Sequence, residues 1–354
     1  MRTDAKIYIA GHRGMVGSAI HRCLAAKGFS NFILKSHSEL DLTSQADVMS
    51  FFERERPEYV FLAAAKVGGI LANNIYRADF LLENLQIQNN VIANSYHFGV
   101  KKLLFLGSSC IYPREAPQPM REDSLLTSPL EYTNEPYAIA KIAGLKLCES
   151  FALQYGANFI SVMPTNLYGQ GDNFDLKKSH VLPALIRKMH LAKLLIEGRI
   201  TAICEDLGLD SAGNIESTLS DLGITKGTVA VWGSGKPMRE FLHADDLAEA
   251  CIHIMNNIDF DELRGQSPAI RNTHINVGTG SDISIADLAH LVKDVVGYSG
   301  KLAFDSSKPD GTMKKLLDIS KIQSMGWQPK ITLADGIRRV YVAYTNNARK
   351  NINS

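Results

Sequence analysis

The 354-residue chain has no long apolar run and no excess of one charge. No segment approaches the ~18 uninterrupted apolar residues that suggest a membrane-spanning helix, so we expect no membrane partner. The formal net charge is only +1, from 38 basic and 37 acidic residues. A nucleic-acid partner is therefore not expected, because binding a polyanion requires concentrated positive charge.

Cysteine pairs, repeats and targeting segments are also missing. The five cysteines are an odd number, and none stands in a C-x-x-C pair, so no disulfide framework is predicted. Residues 1–4 lack the apolar run of a signal peptide, and neither repeats nor low-complexity tracts are present. Apolar residues make up 45% of the chain, which is ample for a large core. We expect a cytoplasmic enzyme without a metal.

A glycine triplet lies near the start of the chain. Residues 6–10 form a predicted buried strand, Gly11, Gly14 and Gly17 follow at intervals of three, and residues 18–27 form a predicted helix. Such glycines permit a tight turn, close approach of backbone amides to a pyrophosphate, and close packing of the helix on the sheet. The pattern predicts a dinucleotide site on the helix amino terminus, contacted by Gly11, His12, Arg13, Gly14, Met15, Val16 and Gly17.

The second predicted strand, residues 32–35, bears on the choice of dinucleotide. An NAD-selective site normally places Asp or Glu at its end for the ribose 2′-hydroxyl, but this chain has Lys35, Ser36 and His37. Arg13, Lys35 and His37 offer positive charge for a 2′-phosphate instead. NADP is therefore favoured over NAD, the alternative being that Arg13 and Lys35 are solvated surface residues.

Strand and helix patterns alternate through the first half of the chain. Further apolar runs at residues 59–65, 102–108 and 159–163 are typical of parallel strands covered on both faces. This alternation predicts an α/β fold with a Rossmann-like, doubly wound parallel sheet and ligands at the carboxyl ends of its strands. The expected domains are residues 1–165, joined by 240–280, for the dinucleotide, and 166–239 with 281–350 for a smaller α/β substrate-binding domain.

One strand end and the helix after it carry reactive groups. Tyr137 and Lys141 are four residues apart and so lie on one helix face, and Ser108 is expected at a strand end. The ammonium favours the phenolate and should lower the tyrosine pKa, while the serine can hold a carbonyl. Such groups reduce ketones and oxidise alcohols. Alone, the Tyr-x-x-x-Lys spacing also occurs on ordinary helices, with a half-buried tyrosine beside a solvated lysine.

Longer motifs make a family recognisable. The chain resembles the extended short-chain dehydrogenase/reductases that act on nucleotide sugars, and within them the branch that converts GDP-4-keto-6-deoxy-D-mannose to GDP-L-fucose. The resemblance covers nearly the whole chain, and its markers are residues 11–17, 65–70, 108–113, 232–241 and 308–312.

The resemblance implies an NADPH-dependent 3,5-epimerase and 4-reductase. Ser108, Tyr137 and Lys141 would carry out the reduction, while Cys110 and His180 would invert C3 and C5, whose protons the C4 ketone acidifies. The GDP-sugar would be held by Lys188, Trp232, Arg239 and Asp310. Further cofactor contacts would be Lys35, His37, Asp41, Leu42, Ala63, Ala65, Leu106, Gly107, Ser108, Ser109, Tyr137, Lys141, Pro164, Thr165, Asn166, Leu167 and His180.

For several of these residues an ordinary structural role stays open. Cys110 could be a small buried hydrophobe, and His180 a structural histidine. Arg239 could form a surface ion pair with Glu240.

Two departures from the family pattern leave the substrate open. His37 stands where the family often has arginine, which could weaken the NADP preference or make it depend on pH. Residues 197–226 form an insertion that looks helical and amphipathic and resembles one in relatives acting on GDP-6-deoxy-heptoses.

Three other functions fit parts of this pattern. The nearest is a C4 reductase of a GDP-4-keto-6-deoxy-heptose or dideoxy sugar, with or without epimerisation, in surface-polysaccharide synthesis. A non-catalytic NADP-binding sensor is disfavoured because Ser108, Tyr137 and Lys141 are all present. A 4,6-dehydratase is disfavoured because Ser109 and Cys110 stand where those enzymes place an acid and a base. The family's habit also implies a homodimer, with helices near 79–98 and 137–155 pairing as a four-helix bundle.

Overall fold

The structure is a computed structural model that describes residues 1–176, 178–209, 213, 215–265, 270–308 and 310–350. The chain divides into two compact units. Unit 1 comprises Met1–Leu167, Glu240–Gly280 and Leu316–Lys330. Unit 2 comprises Tyr168–Arg239, Ser281–Lys315 and the chain from Ile331 onward.

The strands and helices follow one another along both units. The strands are β1 Ile7–Ala10, β2 Phe32–Ile33, β3 Tyr59–Leu62, β4 Lys102–Leu106, β5 Phe159–Pro164, β6 Asn166–Tyr168, β7 Thr228–Trp232, β8 Met238–Arg239, β9 Phe241–His243, β10 Ile275–Val277, β11 Ile283–Ser284, β12 Lys301–Asp305 and β13 Lys314–Lys315. The helices are α1 Met15–Ala26, α2 Gln45–Glu55, α3 Ile70–Ile75, α4 Arg77–His97, α5 Glu135–Tyr155, α6 Val181–Ile196, α7 Ile200–Leu207, α8 Ile215–Asp221, α9 Ala244–Asn257, α10 Phe260–Leu263, α11 Ile285–Val296, α12 Ser320–Ser324 and α13 Leu333–Lys350.

A six-stranded sheet forms the centre of unit 1. Its order is β10-β5-β4-β3-β1-β2, and every neighbouring pair is parallel. Successive side chains of β1 point to opposite faces: Ile7 and Ile9 join the core under α1 and α9, while Tyr8 and Ala10 join the core under α2 and α4. Both faces are thus covered by apolar helices, which confirms the predicted doubly wound α/β fold.

The strands end earlier than their apolar runs. The second strand was expected to reach residue 35 but stops at Ile33. Its extension is cut short because Ser36 turns the chain, donating its backbone N–H and its hydroxyl to the Glu39 carboxylate at 2.8 and 2.5 Å. Likewise β3 stops at Leu62 and β4 at Leu106, so the residues beyond them lie in loops at the carboxyl edge of the sheet. This is the edge where a doubly wound sheet binds its ligands.

Unit 2 consists of small sheets and helices. A three-stranded sheet has the order β11-β8-β13, and β7 pairs in parallel with β12. The insertion at 197–226 contains α7 and α8, whose apolar side chains Ile203, Ile215 and Leu219 are buried. Residues 210–212 and 214 of the insertion lie outside the described residues.

The segment Leu316–Lys330 belongs to unit 1 and not, as the sequence suggested, to the second domain. The expected second domain took in all of 281–350, whereas Leu316–Lys330 is part of unit 1. The reason is packing: Leu317, Ile322 and Trp327 are buried in the unit 1 core, and the Leu317 N–H donates to the Glu240 carboxylate at 3.0 Å. Within the described part of the chain, no helix combines the length and the apolar character needed to cross a membrane.

Candidate active site

The glycine loop between β1 and α1 has a shape that only glycine permits at two of its three positions. Gly11 has a φ of +83°, and a Cβ there would lie 2.8 Å from the Ala64 nitrogen. A Cβ on Gly17 would lie 2.2 Å from the Gly11 carbonyl oxygen, so α1 could not pack this close to the turn. A Cβ on Gly14 would meet only the Gly11 oxygen, at 3.4 Å, which leaves the loop open at that point.

Two observations show that this loop fits the pyrophosphate end of a dinucleotide. The first turn of α1 has neither a capping side chain nor an acidic residue, so its N–H groups and positive dipole end remain available to an anion. In the described structure the His12 Nδ1 atom is buried without a hydrogen-bond partner, although buried polar atoms are normally satisfied. Met15 and Val16 pack against the core and anchor the loop from below.

The turn after β2 contains a carboxylate that the sequence reasoning overlooked. Glu39 accepts two hydrogen bonds from Ser36 and lies 3.9 Å from the Lys35 ammonium. The hydrogen bonds from Ser36 lower the pKa of Glu39, and the charges of Lys35 and the exposed Arg13 lower it further. Arg13 and Lys35 thus share a cluster with the Glu39 carboxylate. The signal available in the sequence was an acidic residue only two positions after His37.

The next turn in the chain is closed by Asp41. Its carboxylate accepts from the Thr43 N–H at 2.9 Å and from the Thr43 hydroxyl at 2.8 Å, and these bonds lower the pKa of Asp41. His37 Nδ1 lies 3.9 Å from the same carboxylate, and Leu42 packs against the core. His37 therefore has a partner of its own within the turn.

The loops after β3, β4 and β5 are held by buried groups. After β3, the Ala63 N–H donates to the Ala10 carbonyl. Ala65 is followed by Lys66, whose backbone N–H and carbonyl both hydrogen-bond to the Asn84 side chain. After β4, a Cβ on Gly107 would lie 2.3 Å from the Met163 sulfur, so a larger residue there would displace the Met163 side chain. Ser109 beyond it is buried.

After β5, the chain from Pro164 to Leu167 is held by Glu240. The Glu240 carbonyl accepts from the Asn166 side chain at 2.9 Å and from the Thr165 hydroxyl at 3.5 Å. Its carboxylate is fully buried and accepts the N–H groups of Thr279, Gly280 and Leu317. The alternative of a surface ion pair is therefore wrong for Glu240, which holds loops of unit 1 together, and Arg239 has other partners in unit 2.

Ser108 and Cys110 are joined directly in one turn. Ser108 has an extended backbone and begins the 3₁₀ turn Ser109–Ile111, and its hydroxyl accepts the Cys110 N–H at 3.3 Å. The Cys110 side chain is 7% exposed. Two residues later, the buried Tyr112 hydroxyl donates to Asn276 Oδ1 at 2.5 Å and lies 3.0 Å from His274 Nε2. This anchor fixes the turn, and sequence reasoning did not identify it.

Lys141 lies one helical turn after Tyr137 on α5, as the spacing predicted. The residue is 3% exposed, and its ammonium donates to the Leu106 carbonyl at 2.8 Å and lies 5.7 Å from the centre of the Tyr137 ring. The next turn of the helix has Gly144, where a Cβ would lie 2.5 Å from the Phe105 ring, so α5 packs tightly on β4. The end of β4 therefore sets the position of the lysine head group.

Burial dominates the ionisation of this pair. It lowers the pKa of Lys141 to about 8 and raises the pKa of Tyr137, whose ring is still partly accessible. The sequence-based expectation of a lowered tyrosine pKa is thus not met in the protein alone, because burial disfavours the charged phenolate. The turn that contains Cys110 packs against α5, and a negative charge on the thiol raises the pKa of both groups. Serine, thiol, phenol and ammonium are therefore brought together.

Unit 2 brings together the four residues expected to hold the GDP-sugar. The Trp232 side chain is 67% exposed, and the Lys188 ammonium lies 5.9 Å from its ring centre while donating to the Ala230 carbonyl at 3.2 Å. The Arg239 guanidinium donates to the carbonyls of Met238 and Thr312, and the charge of Asp310 raises its pKa against the larger effect of burial. Asp310 itself accepts from the Ser234 N–H and hydroxyl, at 2.8 and 2.6 Å.

Unit 2 also contains Lys308 and His180. The Lys308 ammonium lies 5.6 Å from the Trp232 ring centre. Sequence reasoning did not select Lys308, although it is the first residue of the 308–312 motif. Pro309 of that motif lies outside the described residues. His180 immediately precedes α6; its side chain is exposed, yet the surrounding protein still lowers its pKa. Among the described residues, no group of three or more His, Cys, Asp or Glu side chains could hold a metal.

Known proteins share this architecture. Residues 7–278 match the NAD dependent epimerase/dehydratase family. GDP-L-fucose synthase 1 of Arabidopsis thaliana is 53% identical over 344 residues, covering 97% of this chain and 94% of that protein. The crystal structure of a GDP-6-OMe-4-keto-L-xylo-heptose reductase from C. jejuni has a TM-score of 0.94 at 51% identity, covering 98% of this chain and 99% of the other.

A second solved structure includes a nucleotide. It is MlghC, a GDP-mannoheptose C4 reductase from Campylobacter jejuni with NADP bound, with a TM-score of 0.89 at 50% identity over 98% of this chain and 99% of the other. The chain therefore belongs to the NAD dependent epimerase/dehydratase family and, within it, to the group that contains GDP-L-fucose synthases and GDP-heptose C4 reductases.

Proposed function

We propose that the protein is an NADPH-dependent enzyme that inverts C3 and C5 of a GDP-4-keto-6-deoxy sugar and reduces its C4 ketone, converting GDP-4-keto-6-deoxy-D-mannose to GDP-L-fucose. The observation that carries the proposal is the thiol of Cys110, which lies in the same turn as Ser108, packed against the helix α5 that contains Tyr137 and Lys141. A simple ketone reductase has no use for a base at that point, whereas inversion requires one.

The reduction uses the groups fixed around the end of β4. NADPH, when bound, supplies a hydride to the ketone carbon. The Ser108 hydroxyl holds the ketone oxygen, and the Tyr137 hydroxyl gives that oxygen its proton. Lys141 in its ammonium form stabilises the tyrosinate left behind, because an adjacent positive charge favours the anion. With a pKa of about 8 in the protein alone, Lys141 is largely charged at neutral pH.

The inversions use the additional pair of groups. The C4 ketone acidifies the protons on C3 and C5, so a Cys110 thiolate can remove one of them and leave an enediolate on the sugar. His180 returns a proton to the opposite face, which inverts the carbon. The proton balance closes when the base passes its proton to solvent and the acid takes one up. Reduction of C4 then removes the acidity, so the inverted centres are fixed in the product.

The cofactor assignment rests on charge and on the loop. Arg13 and Lys35 would bind the 2′-phosphate of NADPH, and the α1 amino terminus with its glycine loop would bind the pyrophosphate. Glu39 opposes this preference, because its carboxylate lies 3.9 Å from Lys35 and feels the charge of Arg13. We therefore propose a preference for NADPH that is real but moderate.

The GDP-sugar assignment rests on unit 2. The exposed Trp232 indole offers a flat apolar wall, and Lys188 and Arg239 supply the positive charge that a diphosphate requires. Asp310, fixed by Ser234, can accept hydrogen bonds from a base or a sugar. These contacts select the nucleotide, whereas the choice of sugar remains with residues near the reacting carbons.

A second candidate is a C4 reductase of a GDP-4-keto-6-deoxy-heptose or a dideoxy sugar. The observation that favours it is that two structures named for GDP-heptose reductases match this chain, with TM-scores of 0.94 and 0.89 at 51% and 50% identity. The thiol beside Ser108 favours the epimerase and reductase instead. A sensor without catalysis is not favoured, since the full set of reacting groups is present.

A homodimer is also proposed. The face of α4 and α5 has exposed apolar side chains, with Leu82 58%, Ile139 41% and Tyr155 51% exposed. Large exposed apolar side chains grouped on one surface often mark an interface. Sedimentation should give a dimer that a Leu82→Glu change converts to monomer; a wild-type monomer would contradict it.

We place the enzyme in the cytoplasm on its cysteine content alone.

The test is direct incubation with NADPH and each of three substrates: GDP-4-keto-6-deoxy-D-mannose, the corresponding heptose and a 3,6-dideoxy analogue. Product stereochemistry is read by NMR in D2O. The proposal expects GDP-L-fucose with deuterium at C3 and C5. Reduction of the heptose alone, without deuterium incorporation, would replace it by the C4 reductase.

A further inference from the structure

The first helix of the insertion, α7, has a buried carboxylate near its carboxyl end. Asp206, near the end of α7, has a side chain only 4% exposed. Arg187 of α6 binds it twice: Nε donates to the carboxylate at 2.8 Å, and Nη2 donates to the Asp206 carbonyl at 2.6 Å. A buried acid held by two bonds from one guanidinium is a rigid connection between two helices.

The same arginine reaches a third segment. Its Nη1 donates to the carbonyl of Phe174 at 3.1 Å, in the chain between β6 and α6. The Phe174 ring packs on Tyr344 of α13, with ring centres 4.6 Å apart, and the Tyr344 hydroxyl donates to the Asp206 carboxylate. Phe174, Arg187, Asp206 and Tyr344 therefore form one closed set of contacts, which we call the Asp206 cluster.

Short turns connect this cluster to His180. The Asp175 N–H donates to the Asn173 side chain at 2.9 Å, and the Asp175 carbonyl accepts the Ser179 N–H at 2.8 Å. The Asp175 carboxylate also accepts the Lys178 N–H at 3.0 Å. Asp175, the residue after Phe174, is thus bonded to Ser179, the residue before His180, so the cluster is connected through short turns to the start of α6.

The other end of the insertion touches a second site residue. The Gly223 carbonyl accepts the Ala230 N–H at 2.7 Å, and the Ala230 carbonyl accepts the Lys188 ammonium at 3.2 Å. A Cβ on Gly223 would lie 2.9 Å from the Ala230 side chain and 3.7 Å from the Lys188 nitrogen. The insertion is therefore built against the elements that carry His180 and Lys188, rather than projecting away from them.

We propose that the Asp206 cluster positions His180 for the inversion step, so that Asp206 and Arg187 are positioning residues supplied in part by the insertion. The proposal rests on the proposed function, in which His180 returns a proton to the sugar. Its chemical logic is that proton return must reach one face of one carbon, and a histidine on an unanchored segment would serve this poorly. Reduction at C4 uses Ser108, Tyr137 and Lys141 and does not depend on the cluster.

The test compares Asp206→Asn and Tyr344→Phe with Glu197→Gln as a matched control. Glu197 is an acid of the same insertion whose exposed pairing with Arg199, at 3.8 Å, involves no cluster residue. Hydrogen exchange of segment 169–180 is followed by mass spectrometry without substrate. We expect the amides of Asp175 and Ser179 to exchange at least tenfold faster in Asp206→Asn, less so in Tyr344→Phe, and unchanged in Glu197→Gln.

The same variants are then given the 4-keto sugar in D2O. Deuterium entry at C3 and C5 should fall at least tenfold in Asp206→Asn while NADPH oxidation falls less than threefold, a split that general loss of folding would not produce. Normal exchange and normal deuterium entry in both cluster variants would overturn the proposal, as would a parallel loss of both reactions. Should Asp206→Asn fail to fold, Tyr344→Phe decides alone, because it keeps the ion pair.

Failure of the proposed function has a different signature. A wild-type protein that never incorporates deuterium would refute inversion itself, and the role of the cluster in inversion would be refuted with it. Wild-type incorporation that Asp206→Asn retains at the full rate refutes only the positioning role.

Discussion

The residues proposed to react in unit 1 and the indole proposed to contact the nucleotide in unit 2 are held in different ways. In unit 1, Lys141 and Cys110 are 3% and 7% exposed and are fixed by the end of β4 and by the turn after it. In unit 2, Trp232 is 67% exposed and lies at the end of a strand. Lys141 and Cys110 are thus held by buried contacts on rigid elements, whereas the Trp232 side chain can change without repacking a core.

This difference accounts for a family in which sugars vary. Proteins named for GDP-L-fucose and for GDP-heptoses are each about half identical to this chain across nearly all of it. Substitutions in the exposed parts of unit 2 are cheap in stability, whereas a change at Gly107 or Gly144 would push a Cβ into Met163 or Phe105. Function is therefore expected to diverge in unit 2 first.

The largest effect should come from Tyr137→Phe. The change removes the proton donor and keeps the ring that packs against Phe80 at 6.4 Å, so C4 reduction should fall at least about 100-fold, or about 2.7 kcal/mol. Deuterium entry at C3 and C5 should continue. Stopped-flow NADPH oxidation and NMR measure the two. Tyr76→Phe, at an exposed tyrosine of the same unit, is the control. Ordinary reduction by Tyr137→Phe would show that the reacting groups of unit 1 are assigned wrongly.

Cys110→Ser should change the product more than the rate of reduction. Serine is nearly isosteric but far less acidic, so the variant should fold, bind NADPH and reduce the ketone without inversion, giving the D-sugar. The stereochemistry of the product is the measurement. Cys23→Ser is the control, because burial raises the pKa of that thiol to about 11 and removes it as a base. A doubly inverted product formed by Cys110→Ser at the wild-type rate would exclude the thiol.

Trp232→Ala should affect binding rather than chemistry, which would sharpen the contrast between the units. Loss of the wall should raise the KM for the GDP-sugar about 10- to 30-fold, or about 1.4 to 2 kcal/mol, with kcat changed less than threefold. Steady-state kinetics with GDP-sugar varied at saturating NADPH gives both values. Val342→Ala, an exposed apolar residue of α13, is the control. A fall in kcat equal to the rise in KM would place Trp232 among the reacting groups.

The sequence allowed prediction of those features whose physical cause is local. Gly11 and Gly17 were predictable because a positive φ and a close helix approach require glycine at that spacing. Tyr137 and Lys141 were predictable because four residues make one helical turn. The partner of Lys141 was not, since the Leu106 carbonyl is 35 residues away and meets it only after α5 packs on β4.

Long-range burial explains the remaining errors. Glu240 looked like a surface residue beside Arg239, yet it is fully buried by loops that lie 39 to 77 residues further along the chain. The pKa of Tyr137 was expected to fall on account of Lys141, and rises because the fold desolvates it. Similarly, nothing near Asp206 in the sequence indicates Tyr344, 138 residues away. Motifs identify which residues react, and packing decides how each one ionises.

The smallest effect concerns the nucleotide, at the exposed edge of unit 1. We expect NADPH to be used about tenfold more efficiently than NADH, a difference of about 1.4 kcal/mol that one good phosphate contact can supply. Arg13→Ala should remove most of that ratio by weakening NADPH alone, measured as kcat/KM for each cofactor. Arg2→Ala, which removes an exposed arginine paired with Asp4 at 3.0 Å, should leave the ratio unchanged.

A second arm uses the acid beside Arg13. Glu39→Gln removes the carboxylate that pairs with Lys35 at 3.9 Å, so the ratio should rise above tenfold if the positive charges face the 2′-phosphate. Equal use of both cofactors by the wild type, together with no response to either change, would make Arg13 and Lys35 surface charges only. Residues at this exposed edge of unit 1 would then tolerate substitution as Trp232 of unit 2 is expected to. Rigid placement would be a property of the residues proposed to react, not of unit 1 as a whole.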